Sequence, residues 1–139
     1  MSMEANTVIN GLYGKVFDEN GQELQGTQTF EANVDFEKEE ITIPGKFMKG
    51  HKVMGGTGSG SMTKLKIDTR LQKKILSNPM AKFNYVGKLA DPTALGEEAV
   101  LLIGVSFDGA PLQNWDVTAL AEIDLDFTFD DFRYLQTID

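Results

Sequence analysis

Three groups of residues in this chain have types and spacings that invite a chemical reading. His51 is the single histidine, and there is no cysteine. A nucleophile–histidine–acid relay needs a histidine held by partners. His51 stands instead in a glycine-rich stretch and reads as a histidine without a catalytic part. A two-histidine metal site cannot be built from one chain, and thiol catalysis, disulfides and cysteine-ligated zinc are excluded. The run Gly55-Gly56-Thr57-Gly58-Ser59-Gly60-Ser61 has the small residues of a phosphate cradle. It lacks the closing Gly-Lys-Ser/Thr, and it leads into a strand-like pattern rather than the helix on whose N-terminus such cradles depend. Its glycines read as slack that admits tight or positive-φ backbone. Asp124, Asp126, Asp130 and Asp131 would have to gather a cation without the turn glycine and terminal glutamate of an EF-hand loop. Aspartates at every second position of a strand read as its solvated face. No carboxylate pair is singled out for glycoside hydrolysis. The chain therefore reads as non-enzymatic, with no metal and no cofactor. An enzyme with an acidic site is the reading set against this one.

The elements that position these residues follow from patterning. Phe30, Ala32, Val34 and Phe36 alternate with Glu31, Asn33, Asp35 and Glu37, the signature of a strand with one buried face. Residues 61–67 alternate too. Between these runs, residues 45–60 are glycine-rich and basic in a chain of net charge −8. A long loop inside a compact domain points to binding or assembly, and 45–60 reads as an assembly loop that orders when it meets a partner.

Elsewhere, residues 1–10 are expected as a polar arm, with a short strand over 7–9. Residues 13–17 predict a strand, Asn20-Gly21 a type I′ hairpin turn, and 22–25 the return. The next strand runs over 27–36. Glu37-Lys38-Glu39-Glu40 predicts a charged turn, and 41–43 a short strand stopped by Pro44. Asp68 or Thr69 caps a two-turn helix over 70–76, ended by Ser77-Asn78-Pro79. Residues 81–89 and 98–107 predict strands, the second covered on both faces, joined by a loop over 90–97. Trp115 is expected to anchor the following turn to the core. Over 121–129, Ile123, Leu125, Phe127 and Phe129 point inward and Asp124, Asp126 and Thr128 outward. The sum predicts a mainly β (α+β) fold: an antiparallel β-sandwich or barrel with one short flanking helix and a long glycine-rich loop. It forms a single domain over 1–139, with an arm at 1–10, the assembly loop at 45–60 and a C-terminal tail at 132–139.

Hydrophobic residues make up 41% of the 139 positions, enough for a packed core. The acidic balance argues against nucleic acid as a bound partner and suits nucleic acid as something repelled. The apolar run at 99–103 is too short to cross a bilayer. The first six residues have neither the basic region nor the apolar core of a signal peptide, so no membrane partner is expected.

Three segments carry a family resemblance: Thr29-Phe30-Glu31-Ala32-Asn33-Val34, Gly45-Lys46-Phe47-Met48-Lys49-Gly50-His51-Lys52, and Phe127-Thr128-Phe129-Asp130-Asp131-Phe132. In this order the chain resembles the XkdM-like tail tube proteins of PBSX-like prophages. The likeness runs from about Asn6 to Phe132 and is weakest over 91–98. It implies a structural subunit that self-assembles into stacked hexameric rings, the inner tube of a contractile phage tail or tail-like particle. It also implies sheath and baseplate proteins as partners, DNA passing through without specific binding, and a place in the virion tail after assembly in the bacterial cytoplasm. On this reading Glu31, Asp35, Asp124 and Asp126 are candidates to face the lumen. Lys46, Phe47, Met48, Lys49, His51 and Lys52 are candidates for contact between rings. The alternative reading is a small β-rich binding module that uses 45–60 as its binding loop.

Overall fold

The period-two runs become strands, and several extend beyond the bounds their patterns suggest. The computed structural model describes residues 5–92 and 96–138. Residues 1–4 of the expected arm, 93–95 of the expected 90–97 loop, and Asp139 lie outside the described residues. Two short 3-10 turns, Ala5–Thr7 and Gly11–Tyr13, come first. They are followed by β1 (Gly14–Phe17), β2 (Thr27–Ile41), β3 (Gly50–Leu65), α1 (Arg70–Ser77), β4 (Phe83–Leu89), β5 (Glu98–Phe107), β6 (Glu122–Phe129) and β7 (Asp131–Gln136). The fold is mainly β, with antiparallel pairing throughout these strands.

The strands form two layers. β1, β4, β5 and β7 pair side by side in one, and β2, β3 and β6 in the other. β5 belongs to both: its earlier residues pair with β4 and β7, and Ser106 and Phe107 pair with β6. The strand changes layer at Gly104, whose φ is +70°. The Gly104 N–H donates to Asn84 Oδ1 at 3.1 Å. Beside it, Asp130 joins β6 to β7 and donates its N–H to Ile103 O at 2.9 Å. A Cβ on Gly104 would lie 2.6 Å from the Asp130 carboxylate, so only glycine meets both the dihedral and the space.

Between the layers sits the core. β6 alternates without a break, burying Ile123, Leu125, Phe127 and Phe129. Val16, Phe83, Tyr85, Leu102 and Val105 face them from the other layer, and Leu71 and Ile75 of α1 join the cluster. Phe30 stacks on Phe127 with centroids 5.9 Å apart, while Phe107 meets Tyr85 and Phe127 edge-on. Burial of each such side chain contributes about 1.5–3 kcal/mol. The α1 start takes its side-chain cap from Asp68, whose Oδ1 accepts the Arg70 N–H at 3.1 Å; Thr69 makes no such bond.

Several expectations are corrected. There is no separate strand over 41–43; β2 ends at Ile41. Residues 7–9 form no strand; the Asn10 side chain accepts from Leu12 N–H and starts a 3-10 turn. The hairpin after β1 is present, but of its turn residues only Gly21 has positive φ. Asp18 Oδ1 accepts from the N–H groups of Asn20 and Gln22, which stabilises a longer turn than type I′. Residues 37–40 are not a turn, because β2 continues through them opposite residues 51–55 of β3. Residues 50–60 are strand rather than loop, and only the segment between Ile41 and Gly50 connects the two strands. Finally, 131–136 is not a tail but β7, paired with β5.

Candidate assembly surfaces

The glycines of β3 have a use that their sequence hides. Gly60 faces Phe127 and Gly58 faces Phe129 across the β3–β6 pairing. A Cβ at Gly58 would collide with the Phe129 ring. One at Gly60 would come within 2.6 Å of the Phe127 ring and closer still to the Glu31 carbonyl. The rings of β6 therefore rest on bare β3 backbone, which lets β3 pass beneath them as a strand.

That packing fixes the opposite, outward face of the same layer. Residues directly opposed in antiparallel strands point to one side. Register puts Glu31, Ser61 and Asp126 in one row, Asn33, Ser59 and Thr128 in the next, and Asp35 opposite Thr57. The four acidic candidates, Glu31, Asp35, Asp124 and Asp126, thus share one exposed face. Glu37 and Glu122 extend it, and no Lys or Arg stands on it between β2 position 29 and position 37, or along β6. Small hydroxyls and amides organise the carboxylates. Thr63 Oγ1 donates to Asp124 Oδ1 at 2.8 Å and Asn33 Nδ2 to Glu31 Oε1 at 2.7 Å.

Past Gly58, β3 loses its β6 partner, yet β2 and β3 stay paired to Ile41 and Gly50 with one irregularity near Met54. The result is a two-stranded ribbon projecting about 25 Å beyond the third strand at about 3.3 Å per residue. Its end is a turn of Ile43-Pro44-Gly45-Lys46, with Gly45 at φ +79° and the Lys46 N–H donating to Ile43 O at 3.2 Å. Proline then glycine is what a type II turn demands. The six ring-contact candidates all lie on this end. Phe47 is 98% exposed, and Met48, Val53, Met54, Val34 and Phe36 are exposed as well. Lys49 Nζ lies 3.6 Å and His51 Nε2 4.0 Å from the Glu40 carboxylate. The outer edge of β2 has no strand partner among the described residues. Because 50–60 is strand, the binding-module reading is left with the shorter 42–49 connection as its loop.

Two surfaces escaped the sequence reading. Trp115 does not anchor the core; it is 66% exposed, and its loop also exposes Leu112, Val117 and Leu120. Between the layers, on the β2 side, a groove of about 890 Å³ has a mixed lining that includes Val34, Val100, Phe129 and Phe132 together with Lys15, Asn33, Lys88 and Glu98. The sequence signal for the first was the run of apolar residues without a period, in a segment with no strand pattern.

The titrations of Tyr85 and Asp116 are perturbed. Burial, reinforced by the Asp18 and Glu19 carboxylates, pushes the Tyr85 phenol well above its usual range. The Asp116 carboxyl is held below its usual value by hydrogen bonds from the Thr118 backbone and hydroxyl. Among the described residues, no three His, Asp or Glu side chains are placed to hold a metal ion.

The fold is shared with subunits of contractile injection systems. One solved structure, the PVC sheath/tube terminator of an extracellular contractile injection system in its extended state, superposes with TM-score 0.77. It covers 97% of this chain and 100% of its own at 10% identity. The tail of an empty gene transfer agent particle, reconstructed with C6 symmetry, matches at TM-score 0.55 and 10% identity, covering 98% and 99% of the two chains. Over residues 1–136 the sequence fits the family profile described as phage tail tube protein, and the chain belongs to that family. Phage-like element PBSX protein XkdM of Bacillus subtilis (strain 168) is 34% identical over 145 residues, spanning 95% of this chain and 93% of that relative.

Proposed function

We propose that this chain is the structural subunit of the inner tube of a contractile tail or tail-like particle, six copies to a ring and rings stacked within a sheath on a baseplate. The observation that carries this is the carboxylate face of β2, β3 and β6. Glu31, Asp35, Glu37, Glu122, Asp124 and Asp126 stand on one side of one layer without a cation among them. Turned inward in a ring, that face lines a channel with negative charge. A polyanion crossing it is repelled from the wall rather than held. The open edge of β2 lets the layer continue into a neighbouring copy, since an unpaired edge is a template for strand addition. The C6 symmetry of the gene transfer agent tail supports the count of six.

The role is mechanical rather than catalytic, and the subunit assembles in the cytoplasm before joining the particle. Electron microscopy of the concentrated protein, with baseplate components present to start growth, is expected to show hollow tubes. Asp124→Lys together with Asp126→Lys is expected to leave tubes intact and reduce DNA delivery by the complete particle at least about tenfold, given the charge focusing of a narrow channel. Unchanged delivery would remove the lumen assignment, and a chain that forms no rings or tubes would remove the tube reading.

A further inference from the structure

The subunit has two exposed apolar poles, one carrying Lys46 and the other Asp116. β3 runs from the ribbon end at Gly50 to Leu65, and Leu65 faces Glu122, the first residue of β6. Residues 108–121, which lead into β6, therefore lie at the far end of β3 from the ribbon tip, a separation of about 50 Å along a 16-residue strand. Lys66 ties this loop to the body: its N–H donates to Ala121 O at 2.8 Å and its Nζ to Leu112 O at 3.4 Å. The loop presents Leu112, Trp115, Val117 and Leu120 to solvent. From 108 to 122 its only charged residues are Asp108, Asp116 and Glu122. The tip exposes Ile43, Phe47 and Met48. Of its lysines, Lys49 lies 3.6 Å from the Glu40 carboxylate and Lys52 stands opposite Glu39, so Lys46 is the one with no facing carboxylate among the described residues.

We propose that the ribbon tip of one copy docks on the 112–120 loop of the next copy along the stack, Phe47 and Met48 against Trp115 and Leu120, with Lys46 facing Asp116. This rests on the stacked-ring reading and names the receiving surface for its contact between rings. Exposed apolar clusters rimmed by polar residues mark interfaces, and tryptophan is the residue type that most often carries their energy. The complementarity of Lys46 and Asp116 favours tip-to-loop pairing over tip-to-tip or loop-to-loop pairing. Asp116 is presented in a fixed pose, because its Oδ1 accepts from the Thr118 N–H at 2.9 Å and from Thr118 Oγ1 at 2.8 Å. Among the described residues no carboxylate is within ion-pair distance of Lys46. The two poles differ, so the contact is heterologous; repeated along an axis it does not close, which is what a tube of open length requires.

The absence of cysteine makes the test clean. Phe47→Cys and Trp115→Cys proteins, mixed under mild oxidation during tube growth, are expected to form a disulfide-linked heterodimer. The double variant is expected to give a ladder of linked copies, since a disulfide needs Cα atoms within about 7 Å. Each single variant alone is expected to give no linked species. Lys46→Glu and Asp116→Lys are each expected to raise the concentration needed for polymerisation by about tenfold, and the two in one chain to restore it. Tubes that grow normally from the mixed cysteine variants with no heterodimer would overturn the proposal and leave the tube reading standing. A wild-type chain that forms no polymer, even with its baseplate, would overturn the tube reading and this contact with it.

Discussion

The seat of the β6 rings on β3 can be tested by giving each glycine of β3 a methyl group. At Gly60 the new Cβ would stand 2.6 Å from the Phe127 ring and nearer still to the Glu31 carbonyl oxygen. The ring can swing, but the carbonyl belongs to the neighbouring strand and moves only if β2 moves. At Gly58 the three nearest atoms all belong to the Phe129 ring. At Gly56 the nearest atom is 3.4 Å away and at Gly55 it is 3.9 Å, both ordinary contacts. Replacing glycine by alanine in a strand gains about 0.5–1 kcal/mol where the methyl fits, and overpacking costs about 1–3 kcal/mol. The expected order follows. Gly55→Ala stabilises by about 0.5 kcal/mol, Gly56→Ala is near neutral, Gly58→Ala costs about 1–2 kcal/mol and Gly60→Ala about 2–3 kcal/mol. Urea unfolding followed by circular dichroism reads this directly. With a slope of about 2 kcal/mol per molar urea, Gly60→Ala lowers the midpoint by about 1 M. Equal midpoints for Gly55→Ala and Gly60→Ala would mean that the rings do not rest on the strand, and the reasoning for why glycines stand at 58 and 60 of β3 would fail.

Three further outcomes are expected. Gly104→Ala forces a side chain to φ +70° and against Asp130, so it should cost about 2–4 kcal/mol in the same assay; wild-type stability would refute the layer-changing corner. Trp115→Ala should change the stability of the isolated subunit by no more than about 0.5 kcal/mol, as an exposed side chain does, and the wild-type tryptophan should emit at the wavelength of a solvent-exposed indole. Tyr85 has its phenol pKa raised in the fold by burial and by Asp18 and Glu19, so its contribution to stability is complete below the unfolded value of about 10 and is lost as pH rises through the folded value. Spectrophotometric titration should show one tyrosine that ionises only as the chain unfolds, and Tyr85→Phe should remove that late step.

β6 was legible because its alternation is unbroken and both of its faces keep one character from Glu122 to Phe129. α1 was legible because Leu71 and Ile75 lie four apart and Pro79 closes the segment. The acidic face was legible as a set of alternating residues. That Glu31 and Asp126 sit in one row depends on a register that only the pairing of β2, β3 and β6 defines. Gly58 and Gly60 were misread because a glycine carries two opposite messages. It frees a loop, or it makes room for a neighbour's ring, and the neighbours that decide here are Phe127 and Phe129, far away in sequence. Trp115 was misread because a lone tryptophan in an aperiodic loop is expected inside, and sequence alone cannot tell a core filler from a contact waiting for a partner. β7 was hidden because Leu135 breaks the alternation of Phe132 and Tyr134, and the strand is exposed along its length.

The ribbon shows why these misreadings cluster where they do. A two-stranded ribbon is marginal in water on its own, and from 35 to 57 this one has no third strand. It also exposes Phe36, Val53 and Met54. Its charges, Lys38, Glu39, Glu40, Lys49 and Lys52, look like a turn and a loop when a sequence is judged by what one chain can bury. On an edge strand the same charges guard against indiscriminate pairing, and the apolar residues between them supply area for a chosen neighbour. Local patterning encodes the self-contained body of β1, β4, β5, β6 and α1 well, because both partners of every core contact lie in the chain. It encodes the ribbon and the 112–120 loop poorly, because on the proposed reading the second partner in each contact is another copy.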